Sequence, residues 1–394
     1  MEILLIFLLF IIFIEIILIL SVKILKKKFK WLINNEDEYP IFSKQKLKKF
    51  YNNSYDKELG WDRKKNSNGS EFSDKKTFFK ISQSGRRGIS KFNKDIISVF
   101  GDSFAFCRYV NDDETWESYL EKKLKANIHN FGVGNYGLDQ SFLKFLKYKN
   151  KLTTNIIIFN VVPETIARIN SYWKHYREFG NILGFKPVFE FENNKLRLRK
   201  NILKNNFDQK QIHKIISKIK KIDIFYEKKF LKNKFHFPYT FNLLRNIFFY
   251  SKIIINLTLQ KITKKQAFYN NALRIILRKN IEESHLMYKD KKYSEKLEFM
   301  ILYIYEELKK NNFKMILLIS PQLLDFTEGN YSHVLKFYKE IAKKIPCIDM
   351  YEKIKNKKFE KYYFKDVYGG HFNKKGNKFV SEILFNFYKN KKNL

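Results

Sequence analysis

Ile96-Ile97-Ser98-Val99-Phe100-Gly101-Asp102-Ser103-Phe104-Ala105-Phe106-Cys107-Arg108, residues 96–108, is the stretch whose reading decides the fold. A short apolar, β-prone run, Ile96 to Phe100, stops at Gly101, and Asp102 and Ser103 follow at once. That order describes a buried strand that delivers a serine to a tight turn at its C-terminal end. Open α/β sheets place their chemistry at that edge. Turns favour Gly, Asp and Ser for their own reasons, so the tripeptide gains meaning only from partners elsewhere.

Working outward, Thr115 to about Lys125 carries Trp116, Leu120 and Leu124 at a spacing of four, one buried helical stripe, with Asp112 or Asp113 as its expected cap. A short strand, Asn127 to Phe131, runs into Gly132-Val133-Gly134-Asn135-Tyr136-Gly137, and a helix with Phe142, Leu143, Phe145 and Leu146 follows. Asn155 to Val162 is a third strand, broken only by Asn160. Strand, helix, strand, helix, strand is the rhythm of a parallel sheet with crossover helices. It returns near the C-terminus, with a helix over about 294–310, the strand 314–320, a helix near 331–344, a short strand over 345–350 and a closing helix after Gly376-Asn377.

Between these halves lies a stretch of different character. Val188 to Phe191 and Leu196 to Leu198 predict a small hairpin, and basic, aromatic-rich helices follow over 209–225 and 241–277. The reading is an insertion that either covers the sheet's active edge, offers a surface to membrane or partner, or is simply a solvated helical excursion. Residues 31–95 are polar and turn-rich, with Tyr55 to Trp61 as their landmark, and read as an ordered lead-in or a plain linker. The expected divisions are a membrane helix at 3–22, the lead-in at 31–95, an α/β domain in two parts at 96–170 and 301–394, and the insertion at 171–300.

Ile3 to Val22 is apolar except for Glu15 and Ser21. Twenty helical residues span about 30 Å, one bilayer core. No basic stretch precedes the run and no small-residue cleavage site follows it, so a retained single-pass anchor fits better than a cleaved signal. Glu15 costs a few kcal/mol at mid-membrane and marks either a helix contact or a tolerated charge. Lys23, Lys26, Lys27, Lys28 and Lys30 come directly after, which by the positive-inside rule weakly favours a cytoplasmic domain.

The net charge is +37, from 77 Lys and Arg against 40 Asp and Glu. Lysine is spread through a chain also rich in Asn, Ile, Phe and Tyr, so the charge is a background bias and nucleic acid is not the expected partner. Cys107 and Cys347 are the only cysteines, which gives neither a disulfide framework nor a Cys-based zinc site. No metal or cofactor is expected.

Glycine is the sharpest pointer to a site. Only 14 occur, yet seven sit in three short stretches, at 101, at 132, 134 and 137, and at 369, 370 and 376. In a chain so poor in glycine, such clusters mark demanding backbone geometry. The same stretches hold a nucleophile, Ser103, and a base, His371, with Asp366 upstream to orient it. A serine needs such a base, itself held by a third group.

These residues together resemble the SGNH (GDSL) hydrolases. Phe100-Gly101-Asp102-Ser103-Phe104, Asn130-Phe131-Gly132-Val133 and Tyr368-Gly369-Gly370-His371 with Gly376-Asn377 are similar to its membrane-anchored members found with surface-polysaccharide genes. The resemblance covers about 96–168 and 312–390. It implies a three-layer α/β/α flavodoxin-like fold with a parallel sheet, and an esterase or O-acyltransferase acting on an acylated carbohydrate or lipid. It implies Ser103 as nucleophile and His371 as base. The oxyanion donors would be the Ser103 N–H, a backbone N–H at Gly134 or Asn135, and a third-block asparagine, each worth about 3–4 kcal/mol. Three departures stand out: Asn135 replaces a usual glycine, Asn160 is the only stand-in for the absent Gly-x-Asn-Asp, and Asp366 lies five residues before His371 where three is usual. A Ser-His-Asp triad and a Ser-His dyad oriented by a backbone carbonyl both stay open. So does a catalytically impaired module that binds polysaccharide or an assembly partner.

Overall fold

The computed structural model describes residues 2–25, 38–178, 181–203 and 209–390. The lysines at 26–28 and 30, on which the charge-based orientation rests, and the start of the lead-in lie outside these residues.

Five strands form the central sheet: β1 (Asp95–Gly101), β2 (Asn127–Asn130), β3 (Ile156–Val161), β4 (Lys314–Ile319) and β5 (Cys347–Asp349). They lie in the order β2-β1-β3-β4-β5, and every pairing is parallel. This is the flavodoxin-like doubly wound order, whose switch point lies between β1 and β3.

Alternation along each strand builds two separate cores. Ile156 and Ile158 of β3, with Ile316 and Leu318 of β4, face a layer holding Trp116 and Leu120 of α2 (Trp116–Leu124) and Val380 and Leu384 of α10 (Lys374–Asn390). Ile157, Phe159 and Val161, with Met315, Leu317 and Ile319, face the opposite layer. There they meet α3 (Leu138–Tyr148), α8 (Lys291–Lys310) and α9 (Ser332–Ala342). Strands buried on both faces explain why β3, Asn160 apart, and β4, after Lys314, read as apolar runs.

One expected cap differs. Thr115, not Asp112 or Asp113, caps α2, its hydroxyl accepting from the Ser118 N–H at 3.1 Å. Asp112 is engaged by Arg87, whose Nε donates to it at 2.7 Å.

In the insertion, Val188–Glu192 and Lys195–Arg199 form the expected hairpin, closed by Asn193 and Asn194 at φ 49° and 54°. Two left-handed residues in a two-residue loop match the twist of the flanking strands. Besides the short turns Lys174–Glu178 and Tyr226–Leu231, the helices wholly within it are α4 (Gln209–Ile219), α5 (Tyr239–Arg245), α6 (Ile247–Thr263) and α7 (Gln266–Met287). The apolar stretch 241–277 is thus three helices, broken at Asn246 and at Lys264, which has φ 62°.

The N-terminal helix α1 (Glu2–Leu25) is long and apolar enough to cross a membrane. Its second half joins the insertion's core, where Leu18, Val22 and Leu25 pack with Trp173, Ile216, Tyr250 and Ile253. Glu15 contacts another helix: its two carboxylate oxygens accept the Tyr239 and Thr240 N–H groups at 2.7 and 2.6 Å, at the first turn of α5.

Candidate active site

Ser103 leaves the C-terminal end of β1 at the switch point, held there by its neighbour. Asp102 accepts the Phe104 N–H at 2.8 Å and, across the switch point, the Val162 N–H at 3.0 Å. Arg168 completes the brace, donating to Asp102 at 3.2 Å and to the Tyr136 carbonyl at 3.0 Å. One buried guanidinium therefore ties the serine turn to the second glycine block. Burial alone would loosen its proton, but the Glu164 and Asp102 carboxylates outweigh that and raise its pKa.

The Ser103 Oγ lies 2.9 Å from His371 Nε2, and His371 Nδ1 lies 3.0 Å from Asp366 Oδ2. The same Oδ2 accepts the His371 backbone N–H at 2.8 Å, while Oδ1 accepts the Tyr368 N–H at 2.7 Å. Burial pushes the Asp366 carboxyl up, yet His371 and the two N–H groups more than compensate and hold it below the usual carboxylate range. The imidazole is also fixed from its sides: Phe104 stacks on it at 5.0 Å between centroids, and Tyr109 meets it edge-on at 5.5 Å.

The five-residue spacing has a local cause. Gly369 has φ 100° and Gly370 φ 83°, and a Cβ at Gly369 would collide with the Gln322 side chain. The left-handed pair curls the chain back, so the ring and backbone of His371 both return to Asp366.

The second block packs directly onto the serine turn. A Cβ at Gly132 would overlap the backbone of Ala105 and Phe106. Asn135 sits at φ 68°, in the left-handed region that Asn enters more readily than other side-chain-bearing residues. Among the described residues, no hydrogen bond engages the backbone N–H of Ser103 or Asn135, so both can donate to an oxyanion. Gly134 gives its carbonyl to the Trp61 indole N–H at 3.2 Å, and a Cβ there would meet open space. Asn160 is placed differently. It is buried in β3 and absent from the residues around the cavity, and neither amide atom has a partner among the described residues.

Ser103 and His371 line a cavity of about 260 Å³ with Arg108, Asn135, Lys174, Asn280 and Gln322. A second cavity of about 400 Å³, reaching the lead-in at Trp61 and Arg63, shares Arg108, Asn135, Lys174 and Asn181 with it. The two form one elongated, polar groove. Burial pushes the Lys174 ammonium down to about 8, although Glu178 sits 2.9 Å away.

Several of these residues escaped the sequence reading. Arg87 donates to the Cys107 and Val110 carbonyls at 2.7 and 2.6 Å and to that of Phe106, fixing the loop after Ser103. That loop includes Cys107 and Tyr109 at φ 57° and 67°. Asn280, on α7, has neither amide atom partnered among the described residues. Arginines and asparagines far from the glycine clusters carried no local signal that could have singled them out.

No family model matches this chain, and no curated protein matches it. Among solved structures, one from Desulfitobacterium hafniense DCB-2, assigned as a lipolytic protein of the G-D-S-L family, is 12% identical. The match covers 74% of this chain and 99% of that one, at a TM-score of 0.35.

Proposed function

We propose that this protein is a membrane-anchored serine esterase or O-acyltransferase acting on an acylated carbohydrate or lipid. One observation carries the reading: the unbroken chain Ser103 Oγ, His371 Nε2, His371 Nδ1, Asp366 Oδ2, with links of 2.9 and 3.0 Å. In this reading Oγ attacks the ester carbonyl carbon while its proton passes to Nε2. The imidazolium so formed faces the Asp366 carboxylate, and the Ser103 and Asn135 N–H groups face the oxyanion. His371 then gives the proton to the leaving alcohol. Water or a second hydroxyl takes the acyl group, so hydrolysis and transfer share the same residues. The amide-rich walls of the groove favour a sugar-bearing substrate, and α1 supplies the anchor.

A second reading, a catalytically impaired module that binds polysaccharide or a partner, is favoured by Asn160. Buried in β3, it leaves the third-block donor position unfilled.

A fluorophosphonate separates the two. Covalent labelling at Ser103, lost in Ser103→Ala and in His371→Ala while both variants keep their melting transitions, is expected. A folded protein that does not label would overturn the catalytic reading in favour of the binding module.

A further inference from the structure

The insertion's outer surface is unusual for one that water covers. Phe241 and Leu244 of α5 and Phe248, Ile255 and Ile262 of α6 are all exposed, Phe248 at 79%. The last three recur every seven residues, so they form a single stripe. On the other side of α6, Tyr250, Ile253, Leu257 and Gln260 are buried against the core. A helix with apolar residues on both faces needs a second apolar medium.

The surroundings name that medium. α1 packs against both α5 and α6, and its Glu15 caps the first turn of α5. Glu15 lies thirteen residues from one end of α1 and ten from the other, about 20 and 15 Å along the axis. If α1 crosses a bilayer, the start of α5 is fastened within its hydrocarbon depth, and the exposed stripe lies on helices packed directly against α1. Arg245, Lys252, Lys261, Lys264 and Lys265 flank the stripe without ion-pair partners among the described residues. Long basic side chains of this kind carry their charge out to the headgroups.

We infer that α5 and α6 form a membrane-embedded element, lying in one leaflet with the stripe from Phe241 to Ile262 against the acyl chains. The protein is then docked on the bilayer by its insertion as well as tethered by α1. This inference shares with the proposed function only the reading of α1 as an anchor, and it does not depend on catalysis. Its neighbour on the inner side is α7, whose Leu277, Asn280 and Ile281 line the cavity of Ser103. One helix thus separates the leaflet from the groove.

The test uses the full chain in liposomes of mixed neutral and anionic phospholipid. Phe248→Cys and Ile255→Cys carry a bimane label, with Lys336→Cys on α9 as the solvent control. At 248 and 255, emission is expected to fall by about half with lipids nitroxide-labelled roughly 5–10 Å below the headgroups, and to stay unchanged at 336. Adding Ser103→Ala should leave this pattern intact, which separates its failure from failure of the catalytic reading. Water-like, unquenched emission at both positions would overturn the inference. So would rapid disulfide formation between copies of the unlabelled Phe248→Cys variant, with no lipid quenching of the labelled one, which would assign the stripe to a second copy of the chain.

Discussion

Asp366→Asn decides between the triad and the dyad, because the structure fixes how the amide must sit. Oδ2 accepts two N–H groups, the His371 backbone and its Nδ1, whereas Oδ1 accepts only that of Tyr368. The amide oxygen therefore takes the Oδ2 place and keeps two bonds. The NH2 group then faces the Tyr368 N–H, donor against donor, which costs about 1–3 kcal/mol of stability. Catalysis loses the negative charge next to the imidazolium. At 3.0 Å, with an effective dielectric near 20, that charge is worth about 5 kcal/mol. Discounting for relaxation leaves about 4–5 kcal/mol, or roughly a 10³- to 10⁴-fold fall in kcat/KM. The assay is hydrolysis of p-nitrophenyl acetate by the full chain in detergent, run beside the rate of fluorophosphonate labelling and a melting curve. A folded variant that keeps both rates within about tenfold of the parent would refute the triad and leave a dyad oriented by a carbonyl.

Substitutions at two further positions probe the frame. Asn135→Gly should keep both stability and labelling, whereas Asn135→Val, forced to φ 68°, should lose about 1–2 kcal/mol in urea unfolding and label poorly; an innocuous valine would show that the turn is not required. Glu117 is fully buried beside Cys107 and Asn130, and burial pushes its carboxyl up to about 8. Between about pH 4.3, its ordinary value, and about 8 the folded state holds a proton that the unfolded state has shed, so stability must fall as pH rises through that window, by a few kcal/mol. Glu117→Gln should flatten the dependence of urea midpoints on pH between 5 and 8, and an unchanged slope would contradict the assignment.

How much of this was legible beforehand follows from the range of each interaction. The strands were visible because burial on both faces leaves an apolar run, as in Ile156 to Val161. The glycine clusters mark the serine and histidine turns because Gly132 answers to close approach and Gly369 to positive φ, both local demands. The spacing of Asp366 and His371 looked wrong on a count of residues, since a count cannot register the left-handed curl at 369–370. Arg168 and Asn280 were invisible for the opposite reason. Their roles exist only where β1, the second block and α7 meet, and nothing in their neighbouring residues differs from an ordinary helix surface. The sequence leaves Glu15 as either a contact or a tolerated charge, because its partners are main-chain N–H groups, which almost any sequence could supply.

That last contact also carries a timing consequence. Glu15 and Tyr239 are 224 residues apart, so at about 5–20 residues per second the ribosome delivers α5 roughly 11–45 s after α1. On the membrane reading, α1 must enter the bilayer with its carboxylate unmatched and wait for its cap. Biogenesis then has a defined last stitch: the anchor is sealed only when the insertion arrives.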